Sequence, residues 1–220
     1  MSHVPLSALI SMAASAFVLA PEPARAEPVP PPFNLNDVMP EPMVPSPPVT
    51  GVRLGRLTIT FEKMPLSQLL ARAGVGEIAH RGDASESTYW VCYTIPGPST
   101  QRVWLLAGEL DGAEHYVSGI QAAILPNGAP ATESCPSLPI HLRPVSLRAG
   151  IWLGSSEANL SKNIGKSSVS ERGALTYSYT GKVPGSYEGK KVLFDRTSFL
   201  HVTIRDGRVQ GIVASQTTTY

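Results

Sequence analysis

The sequence is poor in charge and in cysteine. Charged residues make up 16% of its 220 residues, and the formal net charge is +1. A balance this close to neutral gives no electrostatic reason to expect binding to nucleic acid or to an anionic membrane. The two cysteines, Cys92 and Cys135, do not form a Cys-x-x-Cys motif, which argues against a redox function.

Motifs for catalysis and metal binding are also missing. The histidines are scattered, and none is spaced from a second histidine, a cysteine or a carboxylate as a metal ligand would be. Ser155 lacks the Gly-x-Ser-x-Gly setting of a nucleophile elbow. Glu109, Asp111 and Glu114 cluster near a predicted hairpin, where a solvated turn explains them better than a cation site. We therefore predict no catalytic residue, no metal and no cofactor, with a serine hydrolase using Ser155 as a distant alternative.

The first 26 residues have the pattern of an export signal. An apolar stretch from Leu6 to Ala20 is followed by prolines and by the small-x-small sequence that ends at Ala26. The apolar run is shorter than the ~20 residues that a membrane-spanning helix needs, so we favour a cleaved signal over a membrane anchor. The predicted location is periplasmic or secreted, with no integral membrane span in the mature chain.

Export bears on the two cysteines. An exported chain with an even number of cysteines usually pairs them, so we predict a disulfide between Cys92 and Cys135, with two free thiols as the alternative. Such a bridge, closing a loop of about 43 residues, typically adds about 2 to 4 kcal/mol to stability.

Proline content separates an arm from the folded part of the chain. Nine of the 21 prolines lie in residues 27–50, which therefore form an extended linker or arm. We expect a solvated tether. The rest of the chain divides into a first α/β repeat with a connecting segment, 51–140, and a second α/β repeat, 141–220.

The same order of elements is predicted in both repeats. Residues 64–74 have helical spacing and are followed by strand patterns at 87–95, 102–110 and 117–125, with an Asp-Gly turn at 111–112 between the last two. In the second half, a short helix within 155–165 precedes strand patterns at 174–180, 199–205 and 209–215, with an Asp-Gly turn at 206–207 between the last two. Three pairs are separated by 91 positions, which favours a duplication: Leu69 and Leu160, Gly74 and Gly165, Gly82 and Gly173.

Two adjacent serines begin the second helix. The hydroxyl of Ser155 or Ser156 can accept a hydrogen bond from a free amide of the first turn, and Glu157 favours the positive end of the helix dipole. Gly165 suits a left-handed C-terminal cap. We therefore predict that these serines are structural.

A family resemblance rests on these motifs. The stretch IWLGSSEANLSKNIGK, followed by LTYSYT and LHVTIRDGRVQGI, resembles the repeat of BamE-like (SmpA/OmlA) outer-membrane assembly lipoproteins. Two such units in tandem are similar to the beta-lactamase inhibitor protein (BLIP) family. The resemblance implies an α+β fold of two tandem repeats, each a short helix packed on an antiparallel sheet, which can join in one continuous curved sheet. However, the sequence lacks a lipidated cysteine after the signal and a bridge in each repeat, so the resemblance supports the fold more than an activity.

Strand alternation gives a candidate binding surface. If Tyr89, Val91 and Tyr93 face the helix, the opposite face carries Trp90, Trp104, Phe199 and His201. Large aromatics among small polar residues are typical of protein recognition. The alternative is that the segment with Cys135 covers the tryptophans as a minor core.

The function that follows is an exported, non-enzymatic protein-binding module, inhibitor-like or adaptor, which uses the open face of its sheet. A cell-envelope assembly or structural factor is the alternative, with the proline-rich arm docking on a larger complex.

Overall fold

The computed structural model describes residues 28–32, 44–83, 86–109, 114–125, 128–167, 169–171 and 173–219. The predicted signal peptide, residues 1–26, and the predicted turn at Asp111 and Gly112 lie outside these ranges. The described chain is α+β and dominated by its sheets. The predicted fold class is confirmed at this level.

The elements follow one another in two series. The first series consists of β1 (Gly51–Leu54), β2 (Leu57–Thr60), α1 (Leu66–Ala73), β3 (Ala79–Arg81), β4 (Thr88–Ile95), β5 (Gln101–Gly108) and β6 (Gly119–Ile124). The second consists of β7 (Val145–Ser146), α2 (Glu157–Ile164), β8 (Val169–Glu171), β9 (Ala174–Tyr187), β10 (Lys190–Arg205) and β11 (Arg208–Thr219). Short 3-10 turns at Ile140–Leu142 and Arg148–Gly150 flank β7.

The strands form two antiparallel sheets. The large sheet has the order β3-β4-β5-β6-β11-β10-β9-β8, so the last strand of each series lies at its centre. Ala122 of β6 pairs there with Ile212 of β11. The small sheet has the order β2-β1-β7. Both series therefore contribute to one continuous eight-stranded sheet.

The main core lies between the large sheet and the helices. We call this side of the sheet the helix-side face and the other side the far face. Leu69 of α1 and Leu160 of α2 are both fully buried against the helix-side face. The small sheet adds Val52, Leu54 and Ile59 to the same core. Burial of these apolar side chains is the main favourable term that holds the two series together.

The caps of α2 confirm the structural interpretation of its first serines. Ser156 is the N-cap residue, and its hydroxyl accepts a hydrogen bond from the amide of Asn159 at 3.2 Å. Ser155 accepts from the amide of Trp152 at 3.0 Å. Gly165 does end the helix, but with φ 106° and ψ −160° it is not in the left-handed helical region that we predicted. That conformation is nevertheless open almost only to glycine.

The residues spaced by 91 positions hold corresponding places. Gly74 and Gly165 end the two helices. Gly82 follows β3 and Gly173 follows β8, both with positive φ. Duplication remains an inference, to which this correspondence contributes.

Two sequence-based expectations need correction. The strands β9 and β10 extend well past the predicted limits, since residues 181–187 and 190–198 also belong to them. The arm is not a solvated tether where it is described, because Val44 and Val49 are 9% and 1% exposed and belong to the main core.

Candidate binding surfaces

The predicted binding residues do share the far face. Cys92 pairs with Trp104, and Trp90 pairs with Leu106, so these side chains lie on one side of the sheet. In the second series, Phe199 pairs with Ser215 and His201 with Val213. The pairing of β6 with β11 carries the same face across the sheet, where Gln121 lies between Trp104 and Val213. The predicted alternation is therefore confirmed.

Burial changes the interpretation of this face. Trp90, Trp104 and Phe199 are only 2%, 4% and 5% exposed. The tryptophans form a second hydrophobic cluster with Leu106 and the disulfide between Cys92 and Cys135. The open aromatic surface expected from the sequence is thus absent at these three residues. The alternative, a minor core under the Cys135 segment, describes the tryptophans correctly.

The Cys135 segment, residues 135–138, is held to the sheet by several contacts at the end of β4. β3 pairs only with residues 88–90 of β4, which leaves the far end of that strand's edge available. There the amide of Thr94 donates to the carbonyl of Pro136, and its own carbonyl accepts from Leu138, both at 2.8 Å. The hydroxyl of Thr94 also donates to the carbonyl of Cys135 at 3.0 Å. With the disulfide 2 residues away, this segment is anchored covalently and by hydrogen bonds.

A described part of the arm completes the cover. The indole N–H of Trp104 donates to the carbonyl of Val29 at 3.0 Å, and the side chain of Val29 packs against the cluster. The indole N–H of Trp90 is buried and has no hydrogen-bond partner among the described residues. The two tryptophans therefore differ in polar pairing although they share one cluster.

His201 lies at the other end of the far face. Its Nδ1 is 2.9 Å from the hydroxyl of Thr176, and partial burial lowers its pKa. Of the four predicted binding residues it is the one that is only partly covered. The structure brings it onto the same face as the tryptophans, with β11 and β6 in between.

A projecting ribbon is the surface that the sequence analysis missed. β11 pairs with β10 only as far as Asp195, opposite Thr219. Beyond that point β9 and β10 continue to pair with each other. The first of these pairs is Val183 with Phe194, and the last is Tyr187 with Lys190. We call residues 181–196 the ribbon, which is this projecting part together with two residues of each strand at its base. Five paired positions at the usual rise per residue extend it by about 15 Å.

The ribbon is exposed and carries apolar side chains. Leu193 is 62% exposed and Tyr187 is 50% exposed. Its sequence contains four basic and two acidic residues, of which Lys182 and Asp195 form an ion pair at 2.7 Å. The ribbon therefore presents apolar contacts with a net positive charge.

A turn signal for this hairpin was present in the sequence. Glu188 and Gly189 both have positive φ, at 49° and 77°, as a two-residue type I′ turn requires. The same geometry occurs at Asp206 and Gly207, where the hairpin was predicted. Asp-Gly is a familiar signal and Glu-Gly a weaker one, so only the second turn was recognised.

The alternatives based on chemistry gain no support from local geometry. The hydroxyl of Ser155 accepts a hydrogen bond from the backbone amide of Trp152, which is a structural contact. In the described ranges, no three His, Cys, Asp or Glu side chains are grouped as metal ligands. Asp111, one of the three predicted carboxylates near the hairpin, lies outside those ranges. Glu114 accepts a hydrogen bond from the hydroxyl of Tyr116, and Glu109 from that of Tyr89.

Comparisons with known proteins leave the family open. No family model matches this chain, and no match was found among curated proteins or solved structures. In the part of the chain that the structure describes, no helix has the length and apolar character to cross a membrane.

Proposed function

We propose that this protein is an exported, non-enzymatic binding module that engages a protein partner through the ribbon. The observation that carries the proposal is the exposure of Leu193 and Tyr187 on a hairpin that passes the end of β11. Protein interfaces are anchored by a few apolar and aromatic side chains within a polar rim. The ribbon offers that combination on a rigid scaffold.

The charge of the ribbon indicates the kind of partner. Lys190 pairs with Tyr187 across the ribbon, and Lys191 is two residues before Leu193. In the described chain, one ion pair, between Lys182 and Asp195, offsets part of the positive charge of the ribbon. Opposite charge around an apolar contact steers association and rejects wrong partners. The partner therefore presents an apolar site with an acidic rim.

The proposed location is the periplasm or the exterior. The disulfide supports it, because such bridges persist mainly in oxidising compartments. The signal-like first 26 residues point the same way.

We further infer that the chain consists of two tandem repeats of the BamE-like kind, joined as in the BLIP family. The support is the shared order of helix and strands in the two series and the central pairing of β6 with β11. The alternative function, an assembly or structural factor docked through its arm, is less favoured. Val29 and Val49 of the arm pack on this chain's own sheet.

Capture from a cell-envelope fraction tests the proposal. The mature protein is immobilised beside a Leu193→Asp variant and a control, Ile140→Asp. Ile140 is 83% exposed and lies outside the ribbon, so the control adds the same charge to an exposed apolar position elsewhere on the surface. We expect a partner that the parent and the Ile140 variant hold and the Leu193 variant loses. Equal capture by all three would remove the ribbon from the proposal, and capture lost only with Ile140→Asp would relocate the site.

A further inference from the structure

A pocket lies on the small sheet, on the side away from the core. Its volume is about 380 Å³, within the range of roughly 300 to 1,000 Å³ that is usual for small-molecule sites. It is lined by β1, β2, Ser146 and the turn Arg148–Gly150. It is separate from the ribbon, because no residue of 181–196 lines it.

Strand register places polar side chains together on its floor. Arg53 of β1 pairs with Thr58 of β2 on one side and with Ser146 of β7 on the other. Directly paired residues in antiparallel strands point to the same face. Val52 and Ile59, which alternate with them, point into the core. One row across the sheet thus carries a guanidinium and two hydroxyls.

The neighbouring row adds a third hydroxyl. Thr60, which is exposed and lines the pocket, pairs there with Gly51. The turn Arg148–Gly150 borders the opening and brings a second exposed arginine, Arg148. Ala149 in this turn has φ 57°, a conformation that costs energy for any residue other than glycine.

Charge in the pocket has one sign. Its lining includes Arg53 and Arg148 and no Asp or Glu. Within the described ranges, the ion pair found joins Lys182 and Asp195, so neither arginine has a carboxylate partner there. Two guanidinium groups without a counter-charge favour an anion, and arginine binds carboxylate and phosphate in a bidentate way.

Ser146 provides an independent indication of a ligand. Its side chain is 7% exposed, and its hydroxyl has no hydrogen-bond partner in the part of the chain that the structure describes. A buried hydroxyl without a partner is costly, and native proteins satisfy nearly all such groups. An acceptor oxygen bound beside Arg53 supplies the missing partner.

We propose that this pocket binds a small molecule through an oxyanion group, either a phosphate or a carboxylate. Arg53 and Arg148 hold the charge, and the hydroxyls of Ser146, Thr58 and Thr60 donate to its oxygens. The proposal does not depend on the protein-binding function of the ribbon.

Titrations at constant ionic strength test the site. Inorganic phosphate, glycerol phosphate and citrate are added to the mature protein, and amide chemical shifts are followed by NMR. We expect saturable shifts at residues 50–60 and 146–150. Tighter binding of the phosphates identifies a phosphate site, and tighter binding of citrate identifies a carboxylate site. Shifts that are equal with sodium chloride, or that do not saturate with any probe, overturn the proposal.

Three variants separate a built site from general positive charge. Arg53→Gln weakens binding about tenfold or more, as expected for a lost charged hydrogen bond. Arg56→Gln is the control, since Arg56 is exposed and close in sequence but does not line the pocket. Ser146→Ala weakens binding while leaving the unfolding midpoint of the free protein unchanged or higher. An equal loss with Arg53→Gln and Arg56→Gln, or tight binding by Ser146→Ala, contradicts the assignment.

Discussion

The two halves of the large sheet treat their far faces differently. In the first series, strands of eight residues are covered on both sides, and β4 and β5 each have five consecutive buried residues. In the second series, strands of 14 and 16 residues continue past their neighbours into the exposed ribbon. The same type of strand thus serves as core where a covalently held segment covers it and as surface where its length exceeds that cover.

Removing the disulfide is the strongest way to break this contrast. Cys92→Ser with Cys135→Ser leaves the covering segment held only by hydrogen bonds such as those of Thr94. The unfolding free energy should fall by about 2 to 4 kcal/mol, as for a loop of this size. Urea unfolding with and without reductant measures it, and reductant should have no effect on the double variant. A midpoint equal to that of the oxidised parent would show that the bridge does not hold the cover.

High pH should weaken the core of the first series. Burial raises the pKa of Tyr93 to about 12, whereas the unfolded residue titrates near its ordinary value of 10.0. Between about pH 10 and 12 the folded state therefore binds more protons than the unfolded state, so stability falls as pH rises. The expected loss is about 2 to 3 kcal/mol.

The Tyr93→Phe variant isolates this effect, since other tyrosines also titrate in the window. Its stability should fall less steeply with pH than that of the parent, and the difference between the two curves is the contribution of Tyr93. Parallel curves would mean that Tyr93 titrates alike in both states.

The two tryptophans offer a matched pair under the arm. Trp104→Phe removes the hydrogen bond to Val29, whereas Trp90→Phe removes an N–H that has no partner. Both variants lose the same atoms from one cluster, so the first should be less stable than the second by about 1 kcal/mol. Urea unfolding of the two variants measures the difference. Equal losses would indicate that the arm contributes no hydrogen bond in solution.

The helices sharpen the comparison between the series. The N-cap of α2 is Ser156, whereas the N-cap of α1 is Pro65, which provides no side-chain hydrogen bond. Ser156→Ala should cost about 1 kcal/mol, and Ser67→Ala in α1 should cost less, because it is not a cap. Thermal unfolding of both variants provides the test. A larger effect of Ser67→Ala would reverse the assignment.

Sequence patterns predicted the features of the fold that depend on residues close together in the chain. The alternation around Trp90 and Trp104 gave their strands and their shared face, because both strands have a period of two. The sequence left that face open between a binding surface and a minor core, since its burial depends on contacts with Cys135 and Val29, which are distant in sequence. A proline-rich arm is extended in any case, and its composition does not determine which surface it meets.

The missed ribbon and pocket have different physical reasons. Gly181, Pro184 and Gly185 interrupt the alternation of β9, and the space beside Gly185 is taken by the ring of Phe194 across the ribbon. In the pocket, Ser146 lies 93 positions after Arg53. Only the pairing of β1 with β7 brings them together, and that pairing involves a strand of two residues.

Amide hydrogen exchange, with and without the captured partner, tests most directly whether the ribbon is the binding surface. We expect slower exchange at residues 183–193 in the complex and unchanged exchange in β4 and β5. The contrary result is protection of β4 and β5 together with faster exchange at residues 29 and 44–50. That result would mean that the partner displaces the arm and binds the aromatic face.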